Sequence, residues 1–240
     1  MLLASWNLQL GLQLDRILQE LSSLPCPDLL AVQEASIHGG RQDSDAIAKQ
    51  LGPSFQAMQV TAQQLRGRIQ ANGLVWDTRC FRFENLEAVA LPVPSGRLMG
   101  ALPASQRNFV VAEGALTTGA SIRVHVVHLD VLGVAHKRAQ FRAVIHDAGR
   151  RQPVDLAVIA GDLNTFGLGP RPAWNSLDSI ASGAGFEDVT GGIGWTQRAF
   201  GVRQKLDAIF MSPAGLARRA WAEPVGASDH LPVFVETEMR

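Results

Sequence analysis

Nearly every strongly apolar run in this chain ends in a polar or ionisable residue, and that pattern constrains the fold more than any other feature. LLASW is followed by Asn7, and DLLAVQ by Glu34. IRVHVV runs into His128, with Asp130 two residues on, and VDLAVIAG runs into Asp162-Leu163-Asn164. KLDAIF carries Asp207 early, and Asp229-His230 stand immediately before LPVFVE. Runs of this length and composition predict buried strands. Strand ends are rigid supports, and the loops beyond them can bring such groups together.

The rest of the chain supplies the layers around those strands. Strands are predicted at 2–8 and 28–33, separated by a helix over 12–24 with apolar residues near helical spacing and prolines at 25 and 27 to stop it. A short helix is predicted at 43–51, ended by Gly52-Pro53. Strands separated by turns follow at 55–60, 72–76, 81–91, 108–116 and 122–128. A helix at 134–150, a strand at 154–160, a helix at 172–182 and strands at 206–211 and 231–236 complete the order. That order fits two sheets packed face to face with helices outside, an α/β sandwich. With no internal repeat or low-complexity tract, the 240 residues are expected to form a single domain, 1–240.

Composition narrows the function classes. Hydrophobic content of 46% with 18% charged residues is that of a folded globular protein. Basic and acidic residues number 22 each, so there is no basic excess of the kind that grips long stretches of nucleic acid. Cys26 and Cys80 are the only cysteines, too few for a disulfide framework or a Cys-rich zinc site. No segment approaches the roughly 20 apolar residues of a membrane span, and MLLASWNLQLG lacks a basic leader region. A cytoplasmic location is the expectation; oligomeric state is open.

Taken singly, each polar residue has an ordinary reading. Asn7 fits a helix N-cap, Glu34 a solvated rim charge, His128 a hydrogen-bonded core histidine, and Asp162 and Asn164 turn residues. Together they ask for another explanation. Glu34, Asp162 and Asp229 are hard oxygen ligands that suit Mg²⁺ or Mn²⁺, and Asn7 and Asn164 add carbonyl oxygens. His128, His230 and Asp207 add proton-transfer and charge-stabilising groups. Several buried carboxylates without a cation would repel and partly protonate.

These pieces, in order, resemble the endonuclease/exonuclease/phosphatase superfamily, the group containing pancreatic deoxyribonuclease. The matching segments are SWNLQ (Asn7), PDLLAVQE (Glu34), HLD followed by R-A-Q (His128, Asp130, Arg138, Gln140), AGDLN (Asp162, Asn164), KLDAIF (Asp207) and SDHLPV (Ser228, Asp229, His230). Arg107 matches a position where many members carry an arginine. The resemblance implies a four-layer α/β sandwich, with two mainly antiparallel sheets face to face and the metal site at one edge of the pair. It implies a metal-dependent hydrolase of phosphate esters using Mg²⁺ or Mn²⁺. Glu34 is then the principal metal ligand, with Asn7 and Asp229 near the same ion. Asp162 orients or deprotonates the attacking water, and Asn164 positions water or phosphate. His230, held by Asp207, contacts the scissile phosphate, and His128 donates to a non-bridging oxygen. Two departures set the chain apart from the abasic-site nucleases: Gln9 stands where some nucleases have an acidic residue, and the chain has no tyrosine. Arg107 is the candidate for the phosphate contact a tyrosine makes elsewhere, and Trp195-Thr196, matching an aromatic-Thr pair that family members often place along the site, for a further substrate contact.

Other segments read more plainly. Pro172-Ala173-Trp174 is a helix start, Trp76-Asp77-Thr78 a surface turn, and His38-Gly39-Gly40-Arg41 a flexible connection. Arg150-Arg151 and Arg218-Arg219 read as solvated surface charges. The leading expectation is a phosphodiesterase or nuclease-like enzyme acting on a phosphate-ester substrate, with nucleic acid among the candidates. A small-molecule or lipid phosphatase of the same fold is the alternative. A non-catalytic binding protein is disfavoured because every expected acidic and histidine position is filled. Substrate choice is expected in loops 37–43, 92–106 and 166–172.

Overall fold

The computed structural model describes residues 1–65, 67–93, 106–131, 133–166, 172–199 and 201–239. Loops 92–106 and 166–172 fall mostly outside the described residues. The elements in chain order are β1 (Leu2–Asn7), α1 (Leu14–Leu21), β2 (Leu29–Ala35), β3 (Ile37–His38), β4 (Arg41–Gln42), α2 (Asp43–Leu51), β5 (Phe55–Leu65), β6 (Arg68–Asp77), β7 (Phe81–Ala90) and β8 (Asn108–Leu116). They continue with β9 (Ser121–His128), α3 (Val134–Arg150), β10 (Leu156–Asp162), α4 (Pro172–Gly183), β11 (Glu187–Asp188), β12 (Gln197–Ala199), β13 (Val202–Gln204), β14 (Asp207–Ser212), β15 (Ala217–Ala222) and β16 (Val233–Thr237).

Two six-stranded sheets carry the architecture, in the orders β15-β16-β1-β2-β6-β5 and β11-β14-β10-β9-β8-β7. Each holds one parallel pair, β1/β2 in the first and β9/β10 in the second, and is otherwise antiparallel. The expected four-layer α/β sandwich is therefore what forms. Among the described residues, no helix is long and apolar enough to cross a membrane.

Strand alternation decides which side chains fill which layer. In β1, Leu3 points between the sheets, whereas Ala4 and Trp6 point outward under the helices. In β9 and β10, Val124, Val126, Val158 and Ala160 face the other sheet, and Val127 and Ile159 lie beneath α3 and α4. Continuing the inward sequence past Leu3 and Ser5, past Val126 and past Ala160 gives Asn7, His128 and Asp162. The same count along β14 puts Ile209 and Met211 in the core and Asp207 at its rim. The site residues are thus the last inward-facing positions of their strands, at the mouth between the two sheets.

Several local expectations change. The helix expected over 12–24 is limited to Leu14–Leu21, after a 3-10 turn at Gln9–Gly11 with positive φ at Gln9 and Leu10. The segment read as a flexible connection is an ordered two-residue hairpin, β3–β4, because Gly39 (φ 57°) and Gly40 (φ 81°) both take the positive φ such turns require. Arg218 and Arg219 are exposed as expected, but on a strand, β15, at the edge of its sheet. Charges there suit an edge that must not pair with another chain.

The larger correction concerns Arg151, read from sequence as solvated. Its guanidinium is half-buried and bridges Asp147, Glu113 and Glu87, while Arg150 also holds Asp147. Asp147 meets the fully buried His125 at 3.2 Å. Burial alone would raise the Asp147 carboxyl, but hydrogen bonds from His125, Arg151 and Arg150 overcome it and hold the group well below the usual carboxylate range.

Two predictions follow from this packing. Asp147→Ala, which leaves Arg151 without its main partner, is expected to cost about 3 kcal/mol in urea unfolding. Because the folded-state value is depressed, the Asp147 contribution is complete above the ordinary carboxylate range and is lost progressively as pH falls from that range toward the depressed folded-state value. Gly161 has φ 150°, and an added Cβ would stand 1.9 Å from the Val127 carbonyl oxygen. Gly161→Ala is expected to destabilise by on the order of 3 kcal/mol and to displace the neighbouring Asp162, lowering activity along with melting temperature.

Candidate active site

Asp162 is the hub of the rim. In the β10 ladders it is paired in register with His128 on one side and Asp207 on the other. Its Oδ2 accepts a hydrogen bond from Asn7 Nδ2 at 2.9 Å, which joins the two sheets across the mouth. Its Oδ1 accepts from the Asn164 backbone N–H at 2.8 Å. His128 Nε2 stands 3.5 Å from Asp162 and 3.7 Å from Glu34. His230 Nε2 lies 3.9 Å from Asp162, and the Nδ1 of the same ring lies 2.8 Å from Asp207 Oδ2.

The local backbone explains how these groups arrive. Glu34 follows Gln33, the last regular inward position of β2. Against β6, the register advances from Val32↔Gly73 to Ala35↔Ala71, a bulge of one extra residue, and Glu34 takes φ 52° within it. Bulges re-aim a side chain in this way, and here Glu34 is turned toward Asn7 and His128. Asn164 also has positive φ (50°) and donates through Nδ2 to the Leu129 carbonyl at 2.8 Å. Asn7 does not cap a helix. Its Oδ1 accepts from the Gln9 N–H, and its amide hydrogens face Asp162 and Glu34.

Supporting residues that the chain's polar pattern did not single out hold the cluster in place. Ser228 Oγ donates to the Asn7 carbonyl and accepts from the His230 N–H. Thr196 Oγ1 accepts from the Leu206 and Asp207 N–H groups, fixing the start of β14. Trp6 Nε1 donates to the His230 carbonyl at 3.0 Å. Gln197 bridges to His230 through the backbone, and its Nε2 reaches Asp229 Oδ2 at 3.3 Å. The family resemblance names Ser228 and Thr196, whereas the parts played by Trp6 and Gln197 are shown by contact geometry alone.

Arg107 and Trp195 stand apart from the central cluster. Arg107 is buried behind His128, with Nε 2.9 Å from Asp130 Oδ1 and NH1 directed at the His128 and Leu129 carbonyls. Asp130 is also braced by His136 at 2.7 Å and by both ends of the Gln140 amide, which accounts for the HLD…Gln140 spacing. Arg138 is exposed. Arg107 therefore braces the loop after β9 through Nε and NH1. Trp195 lies under the Arg203 guanidinium, 4.7 Å from ring centroid to Cζ, in a shallow depression with Trp221 and Leu231.

Crowding decides the electrostatics. Burial pushes the Asp162 carboxyl up, to about 7; His230 opposes this, and Asp207 and Glu34 reinforce it. Burial also raises Glu34. For His230, burial disfavours the charged ring, but Asp207 and Asp162 outweigh it and bring the ring to about 10. Burial, with Arg107 and His230 adding repulsion, holds His128 well below the usual imidazole range. The mouth thus pairs a cationic histidine with a neutral one around carboxylates.

A divalent cation fits this donor set. Asp162, Asp207 and His230 offer ligand atoms within 4.8 Å of one another, and the buried Asp207 Oδ1 has no hydrogen-bond partner. Glu34 and the half-buried Asp229 adjoin the same space, each acting on the charge of His230. Carboxylates raised by burial and mutual repulsion are those a hard cation would return to their charged form.

The comparisons with known proteins agree with this architecture. The sequence model of the Endonuclease/Exonuclease/phosphatase family matches residues 4–230, and the chain belongs to that family. The family relation makes it a phosphoester hydrolase by class. No curated protein matches it by sequence. Among solved structures, an endonuclease/exonuclease/phosphatase family protein from Leptotrichia buccalis is similar at TM-score 0.74 and 16% identity, with 100% of each chain covered. The Bacteroides thetaiotaomicron mannosyl-6-phosphatase Bt3783 follows at TM-score 0.67 and 19% identity, again with 100% of each covered. The human Nocturnin catalytic domain reaches TM-score 0.72 at 14% identity, covering 98% of this chain and 93% of that one. Identities this low speak for the fold alone.

In cation-free protein, NMR titration of the His230 ring is expected to show a value well above 7, and Asp207→Asn is expected to bring it down. A ring that titrates normally in both forms contradicts the pairing.

Proposed function

We propose that this protein is a divalent-metal-dependent phosphodiesterase of nuclease-like type, with Mg²⁺ or Mn²⁺ as its cofactor. The observation that carries the reading is the Asp207–His230 pair, 2.8 Å apart, facing Asp162 across 3.9 Å at the mouth between the sheets. A bound ion, held by Glu34 with Asn7 and Asp229, supplies Lewis-acid stabilisation of charge on the phosphate.

The chain's own groups divide the remaining work. Asp162 takes the proton of the attacking water. A cation in the cluster would keep its carboxyl in the charged form that a base needs, against the burial that raises it. Asn164, fixed by Leu129 and Asp162, positions the water or a phosphate oxygen. His230 is kept protonated by Asp207 and presents Nε2 to the phosphate as negative charge builds. His128, kept neutral by burial, donates a hydrogen bond to a non-bridging oxygen. Such preorganised donors cost no rearrangement during the reaction.

Zero net charge favours a second reading, a phosphatase of small molecules or lipids, since a long polyanion is poorly held without a basic surface. Purified protein with Mg²⁺ or Mn²⁺ is expected to cleave a phosphate diester faster than the matching monoester. Asp162→Asn and His230→Ala should each lower kcat by about 10³-fold. Preference for the monoester decides for the phosphatase. Turnover that survives both substitutions removes this site from the reaction.

A further inference from the structure

Beyond Glu34 the mouth has a second, cationic rim. The β2–β6 ladder ends at Ala35↔Ala71, after which one chain turns into the β3–β4 hairpin and the other leads back to Arg68 at the start of β6. Asp43, completely buried at the foot of the hairpin, ties this region down. Its Oδ2 accepts from the Ser36 N–H at 2.7 Å, its own N–H donates to the Ser36 carbonyl, and its Oδ1 lies 3.5 Å from His38 Nε2. Gly11, four residues after Asn7, packs directly on the pair: an added Cβ would stand 2.1 Å from Asp43 Oδ2 and 2.9 Å from His38 Nε2. The hairpin is therefore clamped to the loops that carry Asn7 and Glu34.

Arg41 and Arg68 both lie close enough to act on the Asp43 carboxyl, after His38, yet neither has an ion pair or side-chain hydrogen bond among the described residues. Arg41 is exposed and Arg68 half-exposed. Arg107, the guanidinium nearest the reacting centre, is committed to Asp130. Arg41, paired with His38 in the hairpin, and Arg68, three residues before the Ala71 that pairs with Ala35, thus place two guanidiniums at the strand ends that carry Glu34, and arginine is the side chain suited to bidentate recognition of phosphate oxygens.

We propose that Arg41 and Arg68 form a subsite for a second phosphate group of the substrate, beside the scissile one. This rests on the phosphoester reading of the main site, and selects substrates that carry a further phosphate rather than isolated monoesters. The subsite also reconciles zero net charge with an anionic substrate, because the positive charge is concentrated where a short ligand needs it.

Calorimetry with Mg²⁺ present tests this without turnover. The probes are bisphosphates of straight-chain alkanediols with short, medium and long spacers, against the corresponding monophosphates. For at least one spacer the bisphosphate is expected to bind about tenfold tighter than its monophosphate. Arg41→Ala with Arg68→Ala should erase that margin at unchanged melting temperature and unchanged monophosphate affinity, and lysine at both positions should restore part of it. A bisphosphate no tighter than its monophosphate at every spacer, or a margin that survives the double variant, overturns the subsite. An intact margin in protein that cleaves no ester fails the catalytic reading alone.

Discussion

Four strands bring their last inward-facing side chains to the same gap, and Asp162 sits at the centre of that gap. The register of β10 against β9 and β14 places His128 and Asp207 on either side of it, and Asn7 reaches it from the opposite sheet. Its position depends on the sandwich itself. The apolar layer between the sheets, from Leu3 and Leu29 to Ile209 and Val233, sets their separation and therefore the distance between Asn7 and Asp162. Stability and chemistry meet at this hydrogen bond, because the core that holds the sheets together also decides whether the carboxylates converge.

Convergence has an electrostatic cost that the chain partly meets from within. Glu34, Asp162, Asp207 and Asp229 crowd a space with little water, and two of them, Glu34 and Asp162, have their carboxyls pushed up by burial. His230 offsets part of this by taking a proton, and Asn7 by turning its amide hydrogens toward Asp162 and Glu34. The remaining imbalance is what supports the proposed divalent cation at this site. Arg107 is held by Asp130 in the loop after β9, and from there its charge favours the ionised form of Glu34 and the neutral form of His128.

The strands were legible because alternation in a two-sheet core leaves a clear mark: β8 and α3 occupy the residues expected of them, and most other elements shift by only a few. The central site residues were legible because a charged or amide side chain at the end of an apolar run is costly unless it has a purpose. What stayed hidden depends on contacts between distant segments. Glu34 reaches the site through a bulge, and nothing in DLLAVQE announces a positive φ. The β3–β4 hairpin looked like loop because its two glycines fit either reading. Arg151 looked like surface charge because its partners, Glu87 and Glu113, are far away in the chain. Ser228 and Thr196 came with the family resemblance, but the backbone groups their hydroxyls hold appear only once β14 and the His230 segment lie beside them.

In the proposed function, the carboxylate cluster at the mouth is built to hold a cation. The most direct measurement is the proton release that accompanies Mn²⁺ binding at neutral pH, read by calorimetry in two buffers of different ionisation enthalpy, together with the melting temperature. Because burial and repulsion keep Asp162 partly protonated near pH 7, binding is expected to expel protons and raise the melting temperature, and Asp162→Asn should remove most of the proton release. Mn²⁺ that binds without releasing protons, or that leaves the melting temperature unmoved at millimolar concentration, would contradict it.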